Sequence, residues 1–337
     1  MKAAFHTGVK EITVREVPKP VPNQNQYLVR ISHCAICGSD TWFANPAEPD
    51  EPIHGHEAVG VIEACGANAT RYHVGDRVVC YAIKGCGKCD YCKNGNPTNC
   101  QSGRQYIEGG FQEYSVYEGD CLFPCPPEAD SAIASLFSDA IGVPLRGMRR
   151  VKPEPDDKVC VWGLGPLGLL QIMFLKAAGV KTIIGLDTVD FRLKKALELG
   201  ATHTVNPAAE DPVAAIQHIC GGIGADKAYT YVRNDKATET VLKCTKECGT
   251  VCSFVGLNGQ AAINIPEYVE RTLVWSFYFT PNEYEENMKF IRDNHIDLSK
   301  IVTDIVPFDR INEGFLKRFR SLSTKALLSN AARNCSA

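Results

Sequence analysis

Val159-Cys160-Val161-Trp162-Gly163-Leu164-Gly165-Pro166-Leu167-Gly168 joins a short apolar run to a glycine turn with G-x-G-x-x-G spacing. The apolar stretch that follows carries Leu167, Leu170, Phe174 and Ala178 at near-helical spacing. Each glycine has a physical task in a dinucleotide site. Gly163 permits the tight turn, Gly165 lets the backbone approach a pyrophosphate, and Gly168 lets helix and strand pack closely. A helix N-terminus there presents free N–H groups and a positive dipole end to phosphates. A second apolar run, Thr182-Ile183-Ile184-Gly185-Leu186, ends at Asp187. That acid stands about 20 residues beyond the glycines, where a carboxylate binds the ribose hydroxyls of NAD. It would repel a 2′-phosphate, which argues against NADP. The alternative is a plain strand–turn–helix corner with a solvated Asp.

Beyond Asp187 the pattern keeps alternating. Phe191–Leu199 and Lys236–Cys244 read as helices, and Ala228–Val232 and Thr250–Val255 as strands, which together indicate a doubly wound parallel sheet. The segment before the turn, with Pro153, Glu154, Pro155, Asp156 and Asp157, reads as a domain hinge. The turn lies mid-chain in 337 residues, which leaves room for a second domain ahead of it. That first part opens in strand fashion, with Ile12, Val14 and Val17, a proline-rich turn, and then Tyr27–Ile31.

The formal net charge is −3 and basic runs are absent, so no nucleic-acid or membrane-surface partner is expected. No apolar stretch approaches the ~20 residues that span a bilayer. The N-terminus has no signal-peptide core, so a cytoplasmic location is expected. Sixteen cysteines in a chain of this length suggest metal ligands and free thiols in a reducing compartment. Five are assigned to metal below; the rest, including Cys34, Cys65 and Cys160, read as small apolar residues.

The most specific signal is Cys86-x2-Cys89-x2-Cys92-x7-Cys100, with Gly85, Gly87, Gly95 and Pro97 to bend the loop. Four thiolates in one short loop suit a closed, structural zinc site; an iron–sulfur cluster is the rival. Cys37, in Cys37-Gly38-Ser39-Asp40, and His56, in Gly55-His56-Glu57, supply a thiolate and an imidazole on separate loops. The two can meet at one zinc, with Glu57 as a further ligand or as a charge behind them. A catalytic zinc needs a third protein ligand.

Together, these motifs resemble the zinc-containing medium-chain alcohol and polyol dehydrogenases over nearly the whole chain. The resemblance rests on the Cys37 and His56 motifs, the four-cysteine lobe, Gly110-Phe111-x-Glu113-Tyr114, the glycine turn and Asp187. It implies an α/β chain with a GroES-like β-rich catalytic domain over 1–148 and its zinc lobe over 85–100. A Rossmann NAD-binding domain over 149–281 follows, and 282–337 completes the first domain, with the substrate cleft between the two. It also implies a third zinc ligand at Asp139, whose bare reading is a helix cap, and it gives Ser39 contact with the substrate oxygen and the start of a proton relay. In the cofactor site it adds Pro166, Leu167, Arg192, Val255, Gly256, Leu257 and Phe277 to Gly163, Gly165, Gly168 and Asp187.

The implied activity is reversible hydride transfer between NAD and a secondary alcohol, polyol or sugar-derived substrate, with two zinc ions per chain, one catalytic and one structural. A threonine, amino-alcohol or sugar-acid dehydrogenase is the alternative within the family. A zinc-free enoyl or quinone reductase, or a non-catalytic NAD-binding zinc protein, is the alternative outside it. The apolar run Leu273–Phe279, including a Ser276–Tyr278 strand, is expected to pair between subunits in a homodimer or homotetramer. Two positions depart from the family pattern. Trp42 replaces a relay histidine and, with Phe43, is expected to wall the substrate pocket; Arg233 stands in the turn after the fourth strand. A frayed tail is expected from Asn330 onward.

Overall fold

The structure, a computed structural model, describes residues 1–46, 53–254, 268–319 and 324–330, apart from the side chains of Thr41, Trp42, Asp235 and Phe319. The chain divides into two compact units. One comprises Met1–Ala140, Thr280–Tyr284 and Leu298–Ala337, and the other Ile141–Phe279 and Glu285–Asp297.

The first unit is built on a seven-stranded sheet. Its long strand Gln26–Ala35 pairs antiparallel with Glu57–Cys65, with Tyr114–Glu118 and with Lys325–Ser329. The last of these comes from the far end of the chain, with Leu327 opposite Ala35, and itself pairs with Val302–Pro307. Its apolar side chains explain the insertion. Ala326, Leu327 and Leu328 are buried, and Ala326 and Leu328 join one core with Val29, Ile31, Phe43, Phe111 and Phe315. Asn330 is fixed to the same sheet, donating to the carbonyls of Ser32 and Ile31, so the expected fraying does not begin there. Phe43 is a core residue rather than a pocket wall. It is fully buried, with its ring 5.0 Å from that of Phe315, because an aromatic side chain at that depth gains more from apolar packing than from a wet cleft. Trp42, its expected companion, has its side chain outside the described residues.

The second unit holds a six-stranded sheet in which every pairing is parallel. Numbered by appearance in the chain, its strand order is 3-2-1-4-5-6, the doubly wound arrangement that places a ligand crevice at the carboxyl end of the first strand. The first strand is Lys158–Trp162 and the helix after the turn is Pro166–Ala177. That helix is apolar nearly all round, consistent with its burial. The edge strand is Thr272–Trp275 and does not continue through Ser276–Tyr278 as expected. Tyr278 adopts φ +50, a left-handed conformation that cannot extend a strand. Phe279 then turns inward against Gly142, where a Cβ would lie 2.3 Å from the ring. No helix among the described residues is long and apolar enough to cross a membrane.

Candidate active site

Two clusters of three or more potential metal ligands occur among the described residues, both in the first unit. In one, ligand atoms of Cys86, Cys89, Cys92 and Cys100 lie within 4.8 Å of one another. The loop bends at Gly87 (φ +70) and Gly95 (φ +68), positions that favour glycine. Gly85 has no room for a side chain, since a Cβ would stand 2.3 Å from Cys92 Sγ. The backbone prepares the sulfurs for a cation. The N–H groups of Lys88 and Cys89 each donate to Cys86 Sγ at 3.4 Å, and that of Cys86 donates to Cys100 Sγ at 3.3 Å. Those amide donors pull the Cys86 thiol down to about 6, while burial pushes Cys92 up to about 12. The donor set fits a tetrahedral all-sulfur metal site with no position left for substrate.

The other cluster brings together Cys37, His56, Glu57 and Asp139, again within 4.8 Å. Cys37 follows the sheet's long strand, Glu57 is the first residue of the paired strand, and Asp139 ends a short helical turn, Ser135–Ser138. Its side chain caps no helix; Asp139 Oδ2 points to His56 Nε2 (3.6 Å) and to Cys37 Sγ (4.0 Å). Ser39 Oγ lies 3.4 Å from His56 Nε2, on an exposed residue at the edge of the cluster.

Two residues given no part in the sequence reading complete the arrangement. Asp40 accepts the Cys37 backbone N–H through Oδ2 (2.8 Å), and its Oδ1 stands 3.8 Å from His56 Nδ1, on the ring side facing away from Asp139. The carboxylate thus stands behind the imidazole at ion-pair range, the usual place of a carboxylate behind a ligating histidine. Lys325, on the C-terminal strand, donates to Glu57 Oε1 at 2.5 Å, with both side chains 1% exposed. The only sequence signal for Lys325 is a lysine opening the apolar run Ala326–Leu328.

The electrostatics call for a cation. Burial drives Asp139 up to about 7, with the Glu57 charge adding to it, and burial drives Asp40 up to about 6. For His56, burial alone would lower the pKa, but Cys37, Asp40 and Asp139 hold it well above its ordinary value. Lys325 follows the same pattern, with Glu57 and Cys37 offsetting its burial. Glu57 Oε2 and Asp139 Oδ1 are buried with no hydrogen-bond partner among the described residues. Unpartnered carboxylate oxygens beside a thiol and an imidazole fit a divalent metal.

In the second unit, the glycine turn takes the form its spacing requires. Gly163 sits at φ +90, and a Cβ on Gly168 would lie 2.0 Å from the Gly163 carbonyl oxygen. Gly165 has nothing within 4 Å of where its Cβ would be, which leaves its backbone open to a close-approaching ligand. Pro166 begins the helix, where it removes an N–H that has no intrahelical partner. Asp187 is tied into this turn: Oδ2 accepts from Leu164 N (2.8 Å), Oδ1 accepts from Val189 N (2.9 Å), and Arg192 Nη1 stands 3.4 Å from Oδ2. Oδ1, with one donor, keeps a further lone pair for a hydroxyl donor. Phe277 lies just past the edge strand, three strands across the sheet from Lys158–Trp162. Val255, Gly256 and Leu257 lie outside the described residues.

Residues 23–127 match the model of the alcohol dehydrogenase GroES-like domain, and residues 166–293 match that of the zinc-binding dehydrogenases. An alcohol dehydrogenase of Geobacillus stearothermophilus is 30% identical over 328 residues, covering 94% of this chain and 95% of that protein. The chain belongs to the zinc-containing medium-chain alcohol and polyol dehydrogenase family. A family member from Bacillus subtilis, sorbitol dehydrogenase, is 29% identical over 317 residues, 90% of this chain and 89% of its own length. Among solved structures, 2R,3R-butanediol dehydrogenase from Bacillus subtilis superposes with a TM-score of 0.85 at 26% identity, covering 97% of this chain and 99% of that one. Family membership makes the protein an oxidoreductase of the zinc-binding, nicotinamide-using kind and accounts for its β-rich first unit and its Rossmann-type second unit.

Proposed function

We propose that the protein is a zinc-dependent, NAD-linked dehydrogenase that interconverts an alcohol (secondary, polyol or sugar-derived) with its carbonyl compound. The convergence of Cys37, His56 and Asp139 on one point, beside the Ser39 hydroxyl, carries this reading. Three protein ligands leave a metal open to a substrate oxygen, whereas the four-cysteine lobe does not. When bound, the zinc supplies Lewis acidity that makes a substrate hydroxyl acidic near neutral pH, and the oxidised nicotinamide takes the hydride. The overall change balances: alcohol and NAD⁺ give carbonyl compound, NADH and one proton.

The chain's own residues orient the reactants and move that proton. Ser39 accepts the hydroxyl proton and passes one on to solvent from its exposed position. Asp40 keeps the His56 ring aimed inward. Lys325 balances the charge of Glu57, which waits beside the metal position with Oε2 unengaged. The exposed Leu273 and Trp275 on the edge strand support assembly with a second copy of the chain.

The reading is tested by zinc content per chain after purification under reducing conditions, together with NAD reduction across a panel of alcohols. Two zincs and turnover are expected. One chelator-resistant zinc without turnover would leave the lobe alone filled and overturn the assignment. For the cofactor, Asp187→Ser removes the carboxylate that repels a 2′-phosphate and leaves Arg192 in place. The ratio of kcat/KM with NADP to that with NAD is expected to rise about tenfold or more. An unchanged ratio would show that Asp187 does not set the preference.

A further inference from the structure

We propose that the four-cysteine lobe is an anchor as well as a closed metal site: with its zinc bound it grips Asn282 and so holds in place Thr280–Tyr284, the stretch in which the chain leaves the second unit, joins the first and returns. The proposal rests on the reading of Cys86, Cys89, Cys92 and Cys100 as a zinc site.

Thr280–Tyr284 belongs to the first unit and lies in the chain between Phe279 and Glu285, both of the second. It forms a compact turn. Glu283 Oε2 accepts from Thr280 N (2.7 Å) and from Thr280 Oγ1 (3.0 Å), and Glu283 N donates back to the Thr280 carbonyl at 2.9 Å. The far end of the turn is buried. Tyr284 is 2% exposed, its ring stacks on Phe123 at 4.2 Å, and its hydroxyl donates to the Pro124 carbonyl at 2.9 Å. The middle is held by the lobe. Asn282 Nδ2 donates to the Asn94 carbonyl at 2.9 Å, and a Cβ on Gly95 would lie 2.2 Å from both polar atoms of the Asn282 amide. That amide therefore rests directly on Gly95, where a side chain would displace it.

The grip depends on the metal because the turn that carries Asn94 has no core of its own. The short helix before it, Asp90–Lys93, buries none of its residues, so apolar packing does not hold it. Its backbone is tied instead to two of the ligand residues. Lys93 N donates to the Cys89 carbonyl and Gly95 N to the Cys92 carbonyl, each at 3.0 Å. The Asn94 amide N–H and side chain both donate to the Asp90 carbonyl, at 3.0 and 2.9 Å, and the Asn94 carbonyl turns to Asn282. In such a lobe the energy of metal binding is folding energy. Without the metal the four sulfurs lose their common cation, and the Asn94 carbonyl loses its fixed place. The lobe's metal state is thereby carried to a residue 188 positions further along the chain.

The test follows amide hydrogen exchange of Glu283 and Tyr284 in wild type, Asn282→Ala and Asn282→Asp. Each protein is brought to two, one and no zinc per chain by graded chelation under reducing conditions, with zinc analysis at every step. From two zincs to one, with the chelator-resistant zinc of the lobe retained, wild-type protection should stay within about twofold. Loss of the last zinc should lower it by about 3- to 10-fold, the scale of one hydrogen bond. Asn282 is exposed, so Asn282→Ala should fold normally. It should show the lower protection even with both zincs bound and lose less than about twofold more on chelation. Asn282→Asp keeps the shape but turns an oxygen to a carbonyl, and should behave like Asn282→Ala. Equal losses on chelation in wild type and Asn282→Ala would route the effect through Tyr284 and overturn the proposal. So would wild-type protection that ignores the last zinc. The Ile31 amide, bonded to the Glu113 carbonyl at 2.9 Å, is the reference: an equal loss there would mean general unfolding and would also overturn it. A lobe that holds no zinc by analysis would end the reading of the lobe itself, and the proposal with it.

Discussion

Asp139→Asn will separate catalysis from folding. The substitution keeps the size and shape of the side chain but removes an anionic ligand from the Cys37–His56 centre. Zinc affinity at that centre should fall at least about 100-fold, since even groups behind a ligand cost 10- to 100-fold when lost. NAD-linked turnover should fall with it, while the zinc of the four-cysteine lobe stays in place. Stability of the metal-free protein should not suffer. Burial already pushes the Asp139 carboxyl up to about 7, so the neutral form is well populated in the metal-free protein near neutral pH, and its Oδ1 has no hydrogen-bond partner among the described residues to lose. Zinc analysis, turnover and melting of the chelated protein together check this. Full zinc content and full turnover in Asp139→Asn would remove Asp139 from the ligand set.

The second large effect is on stability and falls on Lys325→Met. Methionine fills a similar volume and removes the charge that faces Glu57 at 2.5 Å, in a pair with 1% exposure on each side. Breaking a buried pair by removing one partner costs about 3–5 kcal/mol, because the other charge is left buried and unpaired. That cost should appear in full in the metal-free protein. A divalent cation at the centre stands beside Glu57 Oε2 and takes over part of the missing positive charge, so the zinc-loaded protein should lose less. The expected result is a larger melting-temperature drop with chelator than with zinc. Equal drops in both states would mean that Glu57 does not sense the metal.

How much of this could be read from the sequence depends on how far apart the interacting residues lie. The cysteine lobe and the glycine turn were legible because their ligands and turns fall within a short span, so spacing alone constrains the geometry. Cys37 and His56 were legible as a pair, but joining Asp139 to them required the family resemblance, since 102 residues separate it from Cys37. Lys325 was not legible. Its partner Glu57 lies 268 residues away, and the two meet only because the C-terminal strand pairs with Gln26–Ala35. Composition also misled at two places. Phe43 looked like a pocket residue and is core, and the aromatic run after Trp275 looked like a continued strand but is interrupted at Tyr278 by one left-handed residue. Hydrophobicity marks burial in both cases, but it does not say which surface does the burying.

The late arrival of that C-terminal strand sets an order of events during synthesis. Strand Gln26–Ala35 is made about 290 residues ahead of Lys325–Ser329, which pairs with it. At about 5–20 residues per second the gap is roughly a quarter of a minute to a minute. Among the described residues the Rossmann-type sheet has all of its strands by Trp275, so it can form before Lys325–Ser329 is made. Through that interval His33–Ala35, the part of Gln26–Ala35 beyond its pairing with Tyr114–Glu118, lacks its second strand partner, and Glu57 lacks its lysine. The nascent chain's window for mispairing therefore closes only once Lys325–Ser329 is made, and the same strand that seals the sheet delivers the charge that completes the metal pocket.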